Sequence, residues 1–222
     1  MPLVVRTWNV FHGNASPPAR RAYLREMIEL VTSDGPDVVF LQEVPVWAVS
    51  QLGRWSGMAV TSAVARRPRL RSAELGRLVT ELDHGRLRSA FTGEADAILV
   101  SPKLRFGDER STVISERPLR RIAHSVRLDD DVLLANFHID GDPAQLEAVG
   151  EFVKFADRVV LAGDANIRAA WLHGFSLPLA DSIDQILVRG LPSTPPARWP
   201  DERRRANGRL LSDHAPVELT VG

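Results

Sequence analysis

An α/β domain is the fold class this chain predicts, and three observations predict it. Short β-branched, apolar runs alternate with segments whose apolar residues recur at helical spacing. Carboxylates, carboxamides and imidazoles stand where several of those apolar runs end. A length of 222 residues, 44% hydrophobic and 25% charged, suits one globular domain with a sizeable core.

Residues 3–11 read as the first strand, broken at His12-Gly13-Asn14. Ser16, Pro17 and Pro18 are expected to open a helix bearing Leu24, Met27, Ile28 and Val31, stopped by Asp34-Gly35-Pro36. Residues 37–41 form a short buried strand ending in Gln42-Glu43, followed by helices over 46–52 and 72–82. Residues 97–100 and a stretch within 105–115 supply middle strands. Arg121–Leu128 and residues 132–138 then alternate as a hairpin, so Asp129-Asp130-Asp131 is its turn and not a metal site. Asp142-Pro143 starts a helix through Phe155 with Leu146, Val149 and Val153 on one face. A strand over 158–162 runs into Gly163-Asp164, and residues 183–188 and Val217–Val221 are the last strands. A Pro/Arg-rich loop, 191–210, separates these two. Without an internal repeat or a linker, residues 1–222 read as a single domain.

Composition narrows the function classes. The absence of Cys excludes disulfides and thiolate metal sites. Met1–Arg6 lacks a basic region followed by an apolar run, and no apolar stretch is long enough to span a bilayer. A cytoplasmic monomer is expected. Zero formal net charge argues against a sequence-independent polyanion binder. Positive charge is nearly all Arg, gathered in Arg66-Arg67-Pro68-Arg69-Leu70-Arg71, in residues 117–121 and in Arg203-Arg204-Arg205. Each cluster reads either as a phosphate clamp or as a solvated surface.

The strand-end residues carry the chemistry. Phosphoester hydrolysis needs a cation on the phosphoryl oxygens, a positioned water and help for the leaving group. A hard cation such as Mg²⁺ takes oxygen ligands. Glu43 suits that role, and Asn9 offers a carboxamide that touches metal or phosphate without repulsion. Asp164 and Asn166 leave one strand together and can orient water and hold a phosphoryl oxygen. Asp213 and His214 are adjacent, one able to reach metal and the other phosphate. Asp184 can orient His214, and His138 is a candidate proton donor to the leaving oxygen. Singly, Asn9 also reads as a strand-end cap, Glu43 as a helix N-terminal residue and 163–166 as a turn. The six strand-end motifs together favour a site.

Trp8-Asn9-Val10, Leu41-Gln42-Glu43-Val44, Ala97-Ile98-Leu99-Val100, Asn136-Phe137-His138, Gly163-Asp164-Ala165-Asn166, Ser182-Ile183-Asp184-Gln185-Ile186 and Ser212-Asp213-His214-Ala215-Pro216 occur in this order. On them the chain resembles the endonuclease/exonuclease/phosphatase superfamily, which contains deoxyribonuclease I, exonuclease III-type abasic-site endonucleases, neutral sphingomyelinases and inositol-polyphosphate 5-phosphatases. The resemblance spans Asn9 to Val217. It implies a four-layer αββα sandwich of two mixed β-sheets with helices on both outer faces, Mg²⁺ or Mn²⁺, and hydrolysis of a phosphoester. It further implies that Glu43 and Asp213 bind metal with help from Asn9. Asp164 and Asn166 would handle water and a phosphoryl oxygen beside the His214–Asp184 pair, with either Asp164 or His214 as base.

Departures from the family pattern refine these expectations. Phe11 stands where exonuclease III-type enzymes commonly carry Asp, and the Asn136-Phe137-His138 segment where they use Tyr, which disfavours abasic-site repair. Asp96 replaces a frequent Gly or Asn and has no assigned role. Tyr23 is the one Tyr, so Trp199, Trp171 and Trp47 are the possible base stackers. His12 and His84 are expected on loops, exposed or touching the substrate's edge. The 191–210 loop is expected to hang Arg198, Trp199 and Arg203–Arg205 over the crevice to clamp phosphate and stack a ring, or else to be a solvated surface loop. The expected activity is metal-dependent phosphodiester hydrolysis, with nucleic acid among the candidate substrates. Phosphomonoesterase, lipid phosphodiesterase and a non-catalytic binding module on the same fold are the alternatives.

Overall fold

Strand alternation sorts the apolar residues into three separate cores, and these define the architecture. The computed structural model describes residues 2–19, 21–69, 72–82 and 91–222; Leu70, Arg71 and His84 lie outside them. A six-stranded mixed sheet has the order β11 (Ala197–Arg198), β14 (Val217–Val221), β1 (Leu3–Asn9), β3 (Val38–Val44), β5 (Glu94–Val100), β4 (Ala59–Arg66). A five-stranded sheet has the order β10 (Asp184–Arg189), β9 (Val159–Asp164), β8 (Leu133–His138), β7 (Arg121–Leu128), β6 (Phe106–Ser115). A small third sheet joins β12 (Arg205–Ala206), β13 (Arg209–Leu211) and β2 (Ala15–Ser16).

Because successive side chains on a strand point to opposite faces, Val38 and Phe40 enter the core between the two large sheets while Val39 and Leu41 enter the core outside the first. Val160 and Ala162 likewise face the inter-sheet core, and Val159 and Leu161 the core outside the second sheet. Helix α1 (Leu24–Thr32) supplies Leu24, Met27, Ile28 and Val31 to the first outer core, where Leu52 of α2 (Val49–Ser56) joins them. α3 (Ala73–Leu82) docks beside them through the Trp47 indole, which donates to Thr80 Oγ1. α4 (Pro143–Phe152) covers the opposite face with Leu146 and Val149, its first turn capped by Asp142, which accepts from the Ala144 N–H. The result is the four-layer sandwich. Among the described residues no helix is long and apolar enough to cross a membrane.

Three local expectations change. Ser16 does not open the first helix: it pairs with Leu210 in the small sheet, and α1 begins at Leu24 without a side-chain cap. The edge strand β4 is an addition, paired antiparallel with β5. The 191–210 segment is structured, contributing β11, a 3₁₀ turn over Asp201–Arg204, β12 and most of β13. The Asp129–Asp131 run is a hairpin turn, closed by the Leu128 N–H donating to the Val132 carbonyl, with Asp131 at φ +68°.

Candidate active site

Topology gathers the polar strand ends at one edge of the sandwich. β8 and β9 are parallel and β10 is antiparallel to β9, so His138, Asp164 and Asp184 are neighbours in register across the second sheet. In the first sheet β1 and β3 are parallel and β14 is antiparallel to β1, which sets the Ser212–Pro216 turn at the end of β1 near Asn9. Ser212, at φ +59°, donates its hydroxyl to the Asn9 carbonyl at 2.7 Å.

Backbone irregularity aims two of these side chains. The β3–β5 register slips between Leu41 and Val44, and Glu43 sits at φ +56° in that bulge. Such positive φ in a non-glycine residue costs stability and is characteristic of positions where a side chain has been re-aimed for a task. Asn166 is held at φ +49°, its backbone N–H donating to Asp164 Oδ1 at 2.8 Å. The glycine of the Gly163-Asp164 motif is steric in origin: a Cβ there would lie 1.9 Å from the Phe137 carbonyl oxygen.

Asn9 is the link between the sheets. Its Nδ2 donates to Glu43 Oε1 at 3.1 Å and to Asp164 Oδ2 at 2.9 Å, and its Oδ1 accepts from the Phe11 N–H. His214 Nδ1 lies 3.1 and 3.0 Å from the two Asp184 oxygens, while its Nε2 faces Asp164 Oδ2 and Asp213 Oδ1, both at 3.8 Å. Burial disfavours the imidazolium, but Asp184, Asp164 and Asp213 outweigh it and push His214 up to about 10. Asp213 is raised by burial, with Glu43 adding to the rise: the two carboxylates feel each other's charge.

His138 stands between two environments. Its Nε2 is 3.6 Å from Asp164 Oδ2, and Asn166 Nδ2 lies 3.5 Å from it. Its Nδ1 is 3.2 Å from Glu94 Oε1 and 2.9 Å from Arg121 Nη1. With a proton on Nδ1, Glu94 is the acceptor and Arg121 Nη1 donates to the same Glu94 oxygen at 3.0 Å. Against the cost of burial, Glu94 and Asp164 push His138 up to about 9. Glu94 itself falls below the carboxylate range, since His138, His12 and Arg121 overcome its burial. Asp96, beside them on β5, is fully buried with neither carboxyl oxygen hydrogen-bonded within the protein, and burial pushes it up to about 7.

Charge balance decides where a cation fits. Glu94, Asp96 and His138 have ligand atoms within 4.8 Å of one another, as do Asp164, Asp184 and His214. The first group already holds guanidinium charge: Arg66 donates to Glu94 Oε2 at 2.7 Å and Arg121 to Oε1. The crevice differs. Among the described residues, Glu43, Asp164, Asp184 and Asp213 form ion pairs with histidines alone. Converging carboxylates that no described Arg or Lys ion-pairs suit a hard divalent cation with oxygen ligands. Asp164, Asp184 and His214 have ligand atoms close enough together to hold one, with Asn9, Glu43 and Asp213 beside them.

Residues 7–214 match the model of the Endonuclease/Exonuclease/phosphatase family. The chain belongs to that family. Its members are generally phosphoester hydrolases. No curated protein sequence matches it. Among solved structures, it is similar to a functionally unknown conserved protein from Enterococcus faecalis (18% identity, 99% of each chain covered, TM-score 0.73). It is also similar to a humanized D. rerio TDP2 carrying 14 mutations (18% identity, 100% of this chain and 99% of that one, TM-score 0.71). A third is an endonuclease/exonuclease/phosphatase from Bacteroides vulgatus (14% identity, 100% and 99%, TM-score 0.71). At these identities the likeness is one of fold.

Within the family's fold, the structure brings Asn9, Glu43, His138, Asp164, Asn166, Asp184, Asp213 and His214 together and leaves part of the late loop elsewhere. Arg198 lines a crevice of about 500 Å³ with Asp184, Asp213 and His214, and pairs with Asp181 at 3.4 Å. Trp199 does not hang over that crevice. It is 4% exposed in the outer core, stacked between the Arg6 and Arg203 guanidinium groups, whose carbons lie 4.9 and 3.5 Å from its ring centroid. Arg203 is spent there too, donating to Asp34 at 2.9 Å. The reason is parity: Trp199 follows β11 beside β14, and that face looks onto α1's core. Trp47 packs edge-on against Trp55, leaving Trp171, half exposed, as the available ring. His12 is buried, against expectation, with Nε2 3.3 Å from Glu43 Oε2.

Several contacts around the crevice escaped the sequence reading. Gln42 Nε2 donates to Asn136 Oδ1 at 2.7 Å, and Asn136 Nδ2 donates to the Leu41 and Ala97 carbonyls, tying the sheets beneath the crevice. Arg121 closes the Glu94–His138 pair, and Arg168 lines the crevice wall. The motifs containing Gln42 and Asn136 were visible; the arginines carried no signal beyond their clusters.

Proposed function

We propose that this chain is a divalent-cation-dependent phosphoesterase that cleaves a phosphodiester with an activated water. One observation carries the reading: four carboxylates, Glu43, Asp164, Asp184 and Asp213, converge with Asn9, Asn166 and His214, and no described arginine or lysine ion-pairs with them. Glu43 and Asp213, helped by Asn9, would hold Mg²⁺ or Mn²⁺, which when bound supplies positive charge for the phosphoryl oxygens.

This chain's own groups do the rest. Asp184 keeps His214 oriented and cationic, so its Nε2–H can donate to a phosphoryl oxygen. A protonated His214 is a poor base, which leaves Asp164 to orient the water and take its proton. Asn9 and the Asn166 N–H hold Asp164 in place for this. Asn166 spends one amide hydrogen on the Ile139 carbonyl and keeps the other for phosphate. His138, protonated and facing the crevice through Nε2, supplies a proton to the leaving oxygen. The test is hydrolysis of bis-p-nitrophenyl phosphate with Mg²⁺ or Mn²⁺. Activity abolished by EDTA and restored by either ion is the expected result; full activity in EDTA overturns the metal requirement.

A further inference from the structure

We propose that Arg204 is the positioning residue of the Asp213–His214 loop: one buried guanidinium fixes the backbone from which both side chains reach the crevice. Its Nη1 donates to the Leu211 carbonyl at 3.0 Å, the Ser212 carbonyl at 3.1 Å and the His214 carbonyl at 2.9 Å. Nη1 carries two hydrogens, so one is shared between two of the three acceptors. The other edge of the guanidinium donates to Asp201 Oδ1, from Nε at 3.2 Å and from Nη2 at 2.7 Å. Arg204 is 6% exposed, whereas the Asp201 side chain is 55% exposed.

Chain geometry explains why a cation is needed here. Ser212 at φ +59° reverses the backbone and turns the flanking carbonyls toward one point. Converging carbonyl dipoles repel one another, and a buried acceptor left unpaired costs about 1–3 kcal/mol. A guanidinium at that point satisfies all three and fixes the spacing between them. The His214 carbonyl is held from a second side by the Trp8 indole Nε1–H at 3.0 Å. Between these donors the backbone on either side of Asp213 has little freedom.

Arg204 is buried while its carboxylate partner is largely exposed, so its buried contacts are the three loop carbonyls. The neighbouring Arg203 is the contrast. It lies on the Trp199 face and pairs with Asp34 and Glu218, and none of its contacts reaches the crevice loop. Asp201 and Arg204 line the same crevice of about 500 Å³ as Asp213 and His214, so a ligand seated there touches both the catalytic loop and the device that holds it. The late loop thus acts on the site through backbone control. The catalytic consequence rests on the proposed phosphoesterase function; the geometric claim does not.

The test compares Arg204→Met, Arg204→Lys, Asp201→Asn and Arg203→Met in the full chain with two readouts. The first is steady-state hydrolysis of bis-p-nitrophenyl phosphate with saturating Mn²⁺. The second is the Trp8 indole N–H resonance, which reports the His214 carbonyl without any substrate. Arg204→Met is expected to lower kcat about tenfold or more with little change in KM, because small displacements of a reacting group are costly, and to shift the Trp8 resonance. Arg204→Lys should recover part of both. Asp201→Asn, which loosens Arg204 without emptying its space, should shift both readouts in the same direction by less. Arg203→Met should lower Tm and leave kcat and the Trp8 resonance unchanged. If Arg204→Met does not fold, Asp201→Asn and Arg204→Lys decide. Wild-type kcat together with a wild-type Trp8 resonance in the folded Arg204 and Asp201 variants overturns the proposal. An inactive wild-type protein overturns the phosphoesterase reading, while the Trp8 resonance still tests Arg204.

Discussion

The two ring nitrogens of His138 face two differently built regions. On the Nδ1 side lie Glu94 and Asp96, with Arg66 and Arg121 supplying positive charge. On the Nε2 side lie Glu43 and Asp164, and beyond them Asp184 and Asp213, whose ion-pair partners among the described residues are imidazoles alone. Both regions concentrate carboxylates, and all of them but Asp213 are at least partly buried, where isolated charge is costly. In the first the protein neutralises that charge with its own guanidinium groups and, at Asp96, by favouring the neutral acid. In the second it leaves the negative charge for something else. A group of acidic residues therefore points to a cation only after the arginines around it have been counted.

Breaking the compensated side should produce the largest effects, on stability. Arg121→Met leaves Glu94 and Asp140 without a guanidinium that each contacts at 3.0 and 2.8 Å. Removing one partner of a buried pair costs about 3–5 kcal/mol, so chemical denaturation should register a loss of that order. A midpoint equal to wild type would remove Arg121 from the account.

Asp96 gives a pH-dependent version of the same contrast. Its carboxyl sits at about 7 in the folded chain against an ordinary 3.8. Between those values the unfolded chain has released its proton and the folded chain has not, so this group's contribution is full below pH 4 and is lost as pH rises through 7. Asp96→Asn removes that loss. It should stabilise the protein at pH 8 by a few kcal/mol and change little near pH 4. A stabilisation equal at both pH values, read from Tm, would show that Asp96 is not held neutral.

On the uncompensated side the effects should fall on rate. His214→Ala and Asp164→Asn are each expected to lower kcat about a hundredfold or more, with Tm near wild type. Asp184→Asn should cost less than His214→Ala, since Asp184 acts through the imidazole. Retained kcat in either of the first two variants would refute its role. The smallest effect should come from Arg198→Ala. Exposed on the crevice wall, Arg198 can add binding without touching the reacting phosphorus, so KM should rise a few-fold with kcat unchanged. A fall in kcat would place it closer to the chemistry.

Most of the sandwich was legible because periodicity reports burial directly: β3, the β7–β8 hairpin and β14 read as strands from their alternation or apolar runs. Strand ends were legible as an ordered set, though each singly also read as a cap or a turn, and the fold brings Asn9, Glu43 and Asp164 into contact. What failed was tertiary in origin. Ser16 looked like a helix cap but is taken by β13, a pairing 194 positions distant in the chain that no local pattern encodes. Trp199 and Arg203 looked like surface readers of substrate, yet the face on which they emerge is set by the β11–β14 register. Arg204, inside the same basic run, differs from its neighbours only in what it meets after folding.

The central claim is that the Glu43 crevice, and not the Glu94 cluster, is built for a divalent cation. Titration of Mn²⁺ followed by electron paramagnetic resonance, in wild type, Glu43→Gln and Glu94→Gln, tests it without any substrate. The account expects wild type and Glu94→Gln to bind Mn²⁺ alike, and Glu43→Gln to lose at least about tenfold in affinity. Binding that survives in Glu43→Gln and disappears in Glu94→Gln would contradict it.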